Sequence, residues 1–280
     1  MLVELAVGDA YGAGFEYADR KFVADHNTLQ NYVQHPTHSD IRPGDYTDDT
    51  QMTIAIAELM LSDRPWTPEN LADAFVEAFH RDPRSGYAGR FHQFLLNTQS
   101  GKDFLRQIKP DSDKSGAAMR AAPIGLLPTP AEVMTAAAIQ AQVTHNTPDG
   151  IASAQAAALA VHYCHKTLGP PSKVAEWIDS VLPTGSWAKK WHGKVGSKGR
   201  MSVTAALTAL SSNISMSRLL HTCIAFTGDV DTVATIALAA ASQSPEYTQD
   251  LPAPLLANLE NGKYGRDYLA ALNSRLPTQA

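Results

Sequence analysis

The sequence predicts an all-α fold that forms a single domain over residues 1–280. Apolar residues recur at helical spacing in several segments, and threonine followed by proline, a typical helix start, recurs along the chain. Alternating runs of β-branched residues are scarce. No linker rich in proline, glycine, serine or charge divides the chain, so one large core is expected.

The first elements surround a glycine-rich turn. We predict a helix over residues 1–10, followed by the turn Gly12-Ala13-Gly14-Phe15-Glu16, where glycine permits a close backbone approach. Residues 17–44 show no sustained period, which indicates an irregular surface segment that could serve as a lid. The next helix is predicted to run from the pair Asp48-Asp49 to about Leu61.

Start signals define the helices in the middle of the chain. Thr67 is a suitable N-cap before Pro68, and residues 129–132 form the capping-box pattern Thr-Pro-Ala-Glu. Thr147-Pro148 precedes a helix rich in small residues that reaches about His165. Further helices are predicted over residues 172–181, 201–211, 216–226, 231–242 and 264–274.

Composition excludes several classes of protein. A net charge of −5 gives no general field for nucleic acid, although it does not exclude a local basic patch. No basic region precedes an apolar core at the N-terminus, and the apolar stretches are broken by polar residues, so no membrane association is expected. Cys164 and Cys223 lie far apart without metal or disulfide spacing, which favours the reducing cytoplasm.

Two acidic motifs are candidates for a metal site. Asp48 and Asp49 precede an apolar helix, and Asp229 and Asp231 precede another in the motif Gly228-Asp-Val-Asp-Thr. Neighbouring carboxylates repel each other and are costly to bury unless a positive charge neutralises them. Both motifs offer carboxylate and hydroxyl oxygens, which are the ligands of hard divalent cations. We therefore interpret them as two halves of one site.

Helix geometry constrains this interpretation. Asp229 and Asp231 would point roughly 200° apart on a continuous helix, so the motif should lie in a turn ahead of its helix, which Gly228 permits. Asp48 and Asp49 would diverge by about 100°, and in a first turn both could reach cations on either side. N-capping explains a single pair about equally well. Two matching pairs favour the metal site.

The order of motifs resembles the ADP-ribosylglycohydrolase family, which includes the dinitrogenase reductase-activating glycohydrolases. The similarity extends over about residues 5–241. The motifs that carry it are Gly8-Asp9-Ala10-Tyr11-Gly12 with Phe15-Glu16, Thr47-Asp48-Asp49-Thr50-Gln51-Met52, Gly116-Ala117-Ala118-Met119-Arg120-Ala121-Ala122-Pro123, Thr144-His145 and Gly228-Asp229-Val230-Asp231-Thr232.

The resemblance implies a compact orthogonal helical bundle and hydrolysis of the bond between ADP-ribose and a modified side chain or small molecule. It also implies two Mg²⁺ ions, with Mn²⁺ as the alternative, whose ligands are Thr47, Asp48, Asp49, Asp229, Asp231 and Thr232. The chain begins at the first motif, so no additional N-terminal helix is expected. We expect a monomer that acts on an ADP-ribosylated protein or small molecule.

Three carboxylates are candidates for the catalytic role. We hypothesise that the cations hold the vicinal ribose hydroxyls while Asp48, Asp49 or Glu16 guides the attacking water or the proton of the leaving group. Glu16 matches a family glutamate that helps to gate the metals. The alternative for Glu16 is an acid on a surface turn.

The substrate-binding candidates come from three positions. Residues 115–119, which are Ser115, Gly116, Ala117, Ala118 and Met119, match the family loop that contacts the diphosphate, although the family often has Asn in place of Ser115. His145 could stack on the nucleotide or donate a hydrogen bond to it, and a packing role is equally consistent. Arg200 occupies the position where relatives often present an aromatic residue to adenine.

Two further stretches are assigned no catalytic role. Tyr87, between Gly86 and Gly89, matches a family turn and is interpreted as structural. The segment 187–194 combines tryptophan with lysine and is interpreted as a solvated loop, with contact to a protein or nucleic acid as the alternative.

Two other functions remain possible from the sequence. Asp229-Val-Asp-Thr-Val fits the nucleophile signature of haloacid dehalogenase-like phosphatases if residues 223–226 form a strand, but too little chain follows for the repeats of that fold. A non-catalytic module that binds ADP-ribose or a partner is the second alternative. For a hydrolase, arginine-linked ADP-ribose is the first choice of substrate by resemblance to the bacterial branch, ahead of serine-linked, nucleic-acid-linked and small-molecule adducts.

Overall fold

Fifteen α-helices form the described part of the chain, residues 1–278 of a computed structural model. Two short 3-10 helices, Ala122–Leu126 and Pro171–Lys173, connect some of them. The α-helices are α1 (Leu2–Ala13), α2 (Arg20–His26), α3 (Asp48–Met60), α4 (Pro68–Arg81), α5 (Gly89–Asn97), α6 (Gly101–Gln107), α7 (Gly116–Met119), α8 (Pro130–Gln142), α9 (Pro148–His165), α10 (Val174–Val181), α11 (Gly199–Ser212), α12 (Met216–Ala225), α13 (Val230–Ala241), α14 (Ala253–Asn258) and α15 (Arg266–Asn273). Over these residues β structure is limited to isolated bridges, which confirms the all-α prediction.

Helix α13 lies at the centre of the bundle. Every residue from Val230 to Ala241 is buried, and helices α1, α9, α11 and α12 pack around it. Helix α1 approaches it most closely because a Cβ on Gly8 would lie only 2.8 Å from the carbonyl carbon of Ala234. A Cβ on Gly12 would overlap the Cα of Asp231. The two backbones are thus in direct contact, with the end of α1 beside the start of α13.

One apolar core holds the helices together. It extends from Met1 in the first turn to Leu276 after the last helix. Helix α9 contributes a run of small residues, among them Ala154, Ala156 and Ala158, that are completely buried. Small side chains let helix axes approach closely, and α9 packs against α8, α11 and α13. The small residues of α9 therefore serve close packing of the helices.

The predicted helix starts at Thr67, Thr129 and Thr147 are confirmed. Thr67 accepts a hydrogen bond from the amide of Asn70, and Thr147 accepts one from the amide of Gly150. Both halves of the capping box between Thr129 and Glu132 are present. The later predicted helices end within about two residues of the observed bounds, which is the usual uncertainty of helix ends.

Other parts of the helix prediction were wrong. Helix α1 continues through Asp9 to Ala13 instead of ending near Ala10. The segment 17–44 contains helix α2, whose N-cap Asp19 accepts from the amide of Phe22. Helices α5, α6, α7 and α14 were not predicted at all. Each of them has nine residues or fewer, so local periodicity is weak and packing decides their conformation.

The structure excludes the phosphatase alternative. Cys223 lies inside helix α12, so residues 223–226 do not form the strand that the phosphatase signature requires. Asp229 follows this helix and serves as the N-cap of α13. Asp229 therefore follows a helix, whereas the nucleophile of such a phosphatase follows a buried parallel strand.

The segment 187–194 is only partly the solvated loop that was predicted. The side chain of Trp187 is 1 % exposed, and the guanidinium of Arg200 lies 4.6 Å from the centre of its ring. Lys189, Lys190 and Lys194 are exposed. Trp187 therefore belongs to the core, whereas the lysines of the segment face solvent, as His192 does.

Two observations bear on membrane association and redox state. Among the helices of residues 1–278, none combines the length and the apolar composition needed to span a bilayer. Cys164 and Cys223 are both buried and free. No disulfide therefore contributes to the stability of the fold.

The contact between α1 and α13 generates a stability prediction. Gly12→Ala should lower the free energy of unfolding by about 1–3 kcal/mol, because its methyl group would overlap the Asp231 backbone and overpacking costs that much. The matched control is Gly89→Ala, where nothing lies within 4 Å of the added atom. That control should be neutral or raise stability by up to about 1 kcal/mol through helix propensity. Denaturant unfolding measures both, and equal stabilities of the two variants would contradict the close packing.

Candidate active site and metal centre

The two acidic motifs meet in the structure. The Thr232 hydroxyl lies 3.1 Å from each carboxylate oxygen of Asp49 and donates a hydrogen bond to it. Asp48 and Asp49 occupy the first turn of α3, whereas Asp229 caps α13 and Asp231 lies in its first turn. The expected turn ahead of α13 is present for Asp229, and Gly228 adopts a φ of +97°. The starts of the two helices thus face each other.

Asp9, which was quoted only as part of a motif, organises the start of α3. This fully buried carboxylate accepts hydrogen bonds from the amides of Thr47 and Thr50 at 3.0 and 2.9 Å. It also accepts from the hydroxyls of Thr47 and Thr50 at 2.7 and 2.6 Å. A side chain of α1 therefore caps α3, and these bonds fix the direction in which Asp48 and Asp49 point.

A backbone hydrogen bond at Gly228 holds Glu16 close to Asp229 and Asp231. The amide of Tyr17 donates to the carbonyl of Gly228 at 2.9 Å, and the amide of Asp229 donates to the carbonyl of Val195 at 3.2 Å. A Cβ at position 228 would overlap the Val195 carbonyl oxygen, so only glycine fits between the two segments. As a result, carboxylate oxygens of Glu16, Asp229 and Asp231 lie within 4.8 Å of one another.

Burial and mutual repulsion raise the pKa values of these acids. Burial is the main cause for each, and the charges of neighbouring carboxylates add to it. The pKa of Asp229 rises to about 6, although the Ser202 hydroxyl, which donates to it at 2.9 Å, works in the opposite direction. The pKa values of Asp49 and Asp231 rise well above the usual range of a carboxyl. The cluster therefore attracts positive charge.

The residues present fit a hard divalent cation. Oδ1 of Asp231 is buried and has no hydrogen-bond partner. Within residues 1–278, none of the four aspartates forms an ion pair with a lysine, arginine or histidine. They are Asp48, Asp49, Asp229 and Asp231. The donors are carboxylate and hydroxyl oxygens, the set that Mg²⁺ and Mn²⁺ prefer over soft ligands. A cation would satisfy the unpartnered oxygen and offset the repulsion.

The acid cluster forms one wall of a cavity of about 480 Å³. Other parts of its lining come from the turn at Gly86 and Tyr87, from Phe91 and from the start of α7. Of the predicted site residues, those that line it are Glu16, Asp48, Asp49, Ser115, Gly116, Met119, His145, Asp229, Asp231 and Thr232. A groove of about 540 Å³ elsewhere, between Trp66 and Ile139, contains no comparable group of acids.

A second polar group approaches the cavity through His145. Arg120, which is 1 % exposed and stacks over Phe75, donates to the Thr144 hydroxyl at 2.8 Å. That hydroxyl lies 2.6 Å from Nδ1 of His145 and still has its own hydrogen to donate. We therefore assign the imidazole hydrogen to Nε2, on the ring edge that faces Gly116. Burial, followed by the charge of Arg120, lowers the pKa of His145 to about 3, so the ring is neutral at pH 7.

Known proteins resemble this chain in sequence and in fold. The sequence profile described as ADP-ribosylglycohydrolase matches residues 1–280. The chain belongs to the ADP-ribosylglycohydrolase family. An uncharacterised protein of Archaeoglobus fulgidus is 31% identical over 163 residues, which cover 57% of this chain and 53% of that protein.

Two named relatives and one solved structure extend the comparison. ADP-ribosylhydrolase ARH3 of Mus musculus is 31% identical over 56% of this chain and 45% of its own length, and that of Homo sapiens is 30% identical over 56% and 46%. The chain thus spans about half the length of these curated relatives. A solved structure described as an ADP-ribosylglycohydrolase-related protein complex matches 98% of this chain and 94% of its own, with a TM-score of 0.67. At 21% identity, this likeness concerns the fold.

Some of the site residues implied by the family resemblance line the cavity, and others lie away from it. Ser115 precedes the four-residue helix α7 without capping it, and its side chain is hydrogen-bonded to Asp229. Ala117 and Ala118 are buried behind the cavity wall. Thr47 does not line the cavity because its hydroxyl donates to Asp9.

Arg200 lies outside the lining of the cavity. Its guanidinium donates to Asp149 at 3.3 Å and to the carbonyl of Thr184 at 2.9 Å, and it stacks over Trp187. Its position in the first turn of α11 directs it toward α9, where these contacts hold it. The contact of Arg200 with adenine stays a prediction.

Several residues around the acid cluster were not predicted from the sequence. Ser202 gave no usable signal, since an isolated serine in an apolar helix is uninformative, and Arg120 was quoted only as part of a motif. Asp9 did carry a signal, because a carboxylate inside the apolar stretch 5–13 must be paired when it is buried. His35 is 5 % exposed and contacts Glu16, yet it lies in a segment without periodicity.

The neutral state of His145 predicts a specific pH dependence. Its pKa is depressed from the usual 6.5 to about 3, so below pH 6.5 the unfolded chain binds a proton that the folded protein does not. Relative to His145→Gln, the wild type should lose about 1.4 kcal/mol of unfolding free energy per pH unit as the pH falls below 6.5. Denaturant unfolding at pH 7.0, 6.0 and 5.0 measures the difference. The exposed His192→Gln is the control, which should follow the wild type, and identical curves for all three proteins would contradict the assignment.

Proposed function

We propose that this chain is a metal-dependent hydrolase that releases ADP-ribose from an ADP-ribosylated substrate. The observation that carries the proposal is the meeting of the α3 and α13 acids in one cavity, where a buried oxygen of Asp231 lacks a partner. Family membership and the ADP-ribosylhydrolase names of the relatives support the same activity. The neutral Nε2–H of His145 supplies a hydrogen-bond donor in the lining of the same cavity.

The proposed cofactor is a pair of Mg²⁺ ions, with Mn²⁺ as the alternative. Asp48, Asp49, Asp229, Asp231 and Thr232 would hold them, and Glu16 lies close enough to contribute. Thr47 would contribute through a lone pair, since its hydrogen is donated to Asp9. Bound there, the ions would polarise sugar hydroxyls and lower the pKa of a water molecule near the anomeric carbon.

The protein residues would position the substrate and move the proton. The α7 start and His145 would face the anionic diphosphate, to which a neutral imidazole can donate without carrying charge. The acids would face the ribose, whose reacting carbon develops positive charge during cleavage. Asp48, Asp49 or Glu16 would accept the proton of the attacking water and return it to the leaving group.

The acceptor from which ADP-ribose is removed is a separate proposal. Arginine-linked ADP-ribose is the first candidate substrate, because the motifs resemble those of the bacterial branch of the family. Two of the relatives carry the name ADP-ribosylhydrolase ARH3, which gives no linkage. Serine-linked adducts are the second candidate. Cytoplasmic location is supported by two free cysteines, and a monomer stays a prediction for sedimentation analysis.

The activity is tested by release of free ADP-ribose. The wild type should release it with Mg²⁺ or Mn²⁺ and lose activity in chelator, and Asp49→Asn or Asp231→Asn should lower turnover at least about 100-fold by removing a ligand. Asp25→Asn, an exposed acid paired with Lys21, is the control and should retain wild-type turnover. Full turnover by Asp231→Asn, with unchanged affinity for metal, would overturn the proposed centre.

A panel of defined substrates distinguishes the linkages and the non-catalytic alternative. Arginine-linked, serine-linked and nucleic-acid-linked ADP-ribose, together with a small-molecule adduct, are compared at equal concentration in Mg²⁺ and in Mn²⁺. Preference for the arginine linkage by kcat/KM is the expected result, and preference for another linkage would reassign the acceptor. Tight ADP-ribose binding without release from any substrate would indicate a binding module.

A further inference from the structure

Glu16 is held by a histidine that lies outside the five motifs that carry the family resemblance. Nε2 of His35 lies 3.0 Å from Oε2 of Glu16, and the His35 side chain is 2 % exposed. The two residues lie on different segments, 19 positions apart. Glu16 itself is partly exposed at the cavity wall, where an unsupported glutamate could adopt several rotamers.

The backbone fixes which nitrogen of His35 carries the hydrogen. Nδ1 accepts hydrogen bonds from the amides of Thr37 and His38, each at 3.1 Å. A nitrogen that accepts from two N–H groups has no hydrogen of its own. Nε2 therefore carries the hydrogen, and it donates to the Glu16 carboxylate.

The segment that carries His35 is anchored on the turn that carries Glu16. We call residues 33–41 the strap. A Cβ on Gly14 would lie 2.6 Å from both Cγ2 and the carbonyl oxygen of Val33, so the strap rests directly on this turn. The side-chain Nε2 of Gln34 donates to the backbone carbonyls of His38 and Ile41, and these bonds hold the two ends of the strap together.

The far end of the strap reaches the other half of the site. The Ser85 hydroxyl donates to the carboxylate of Asp40. Next to it, a Cβ on Gly86 would lie 2.6 Å from Oδ1 of Asp48. The strap therefore connects the Glu16 turn with the loop that lies against Asp48.

We propose that His35 is the positioning residue for Glu16, and that its Nε2–H orients this carboxylate toward the cation held by Asp229 and Asp231. The inference rests on the proposed function, because it takes Glu16 as a metal ligand. A carboxylate that accepts one hydrogen bond from His35 keeps lone pairs for a cation. Partners of this kind orient metal ligands, and their loss lowers metal affinity. His35 does not touch the substrate.

The first test measures metal binding without substrate. Mn²⁺ is titrated into the full chain and followed by electron paramagnetic resonance and calorimetry. His35→Leu should weaken binding about 10- to 100-fold, because the Glu16 carboxylate loses the hydrogen bond donated by His35. His35→Gln, which can still present an N–H to Glu16, should stay within about threefold of the wild type. His192→Leu, the same change at an exposed histidine outside the strap, is the matched control and should bind as the wild type does.

A double-mutant cycle separates positioning from general loosening of the strap. If His35 acts through Glu16, His35→Leu should weaken Mn²⁺ binding no further once Glu16→Gln is present. Additive losses, or a wild-type affinity in His35→Leu, would overturn the inference while leaving the metal centre intact. A wild-type protein that binds no Mn²⁺ would overturn the proposed metal centre together with this inference.

A measurement on the wild type tests the inference even if a variant does not fold. The ¹⁵N chemical shifts of the His35 ring should show hydrogen on Nε2 and none on Nδ1. Hydrogen on Nδ1 would contradict the two backbone hydrogen bonds and overturn the inference. Mn²⁺, which broadens signals of nearby nuclei, should broaden those of His35 more than those of the exposed His192.

Discussion

The backbone contact between α1 and α13 is the interaction on which the site depends. Helix α1 can lie against α13 only because Gly8 and Gly12 present no side chain there. That proximity brings Asp9 within reach of the threonines at the start of α3, so one helix aligns two others. The glycines and the carboxylate of α1 therefore act together: the glycines set the distance and Asp9 sets the orientation.

The resulting cluster is electrostatically unfavourable without a counterion. Burial and repulsion raise the pKa values of Asp49 and Asp231 well above normal, and for Asp49 the hydrogen bond from the Thr232 hydroxyl offsets this only in part. The fold tolerates the cluster because the surrounding helices are apolar and tightly packed. A binding site for cations thus arises where stability alone would favour neutral residues.

Local signals were readable from the sequence, whereas contacts between distant residues were not. The caps at Thr67 and Thr129 involve neighbours three positions away, so the helix starts could be predicted. The acid pairs could be interpreted as one site because both precede apolar runs. The contact of Asp9 with Thr47 joins residues 38 positions apart, and that of His35 with Glu16 depends on a strap without periodicity. The contacts of Arg200 with Thr184 and Trp187 were likewise not predicted, because spacing does not reveal which neighbour a long side chain will meet.

The hydrogen bond between Thr232 and Asp49 joins residues 183 positions apart, and this separation has a consequence for folding. During synthesis, the first acid pair leaves the ribosome long before the second, so a nascent chain that ends before α13 has half a site. Contacts of such long sequence separation form late, because closing a large loop costs chain entropy before it is rewarded. A cation shared by both pairs would accordingly stabilise the finished bundle and not its early intermediates.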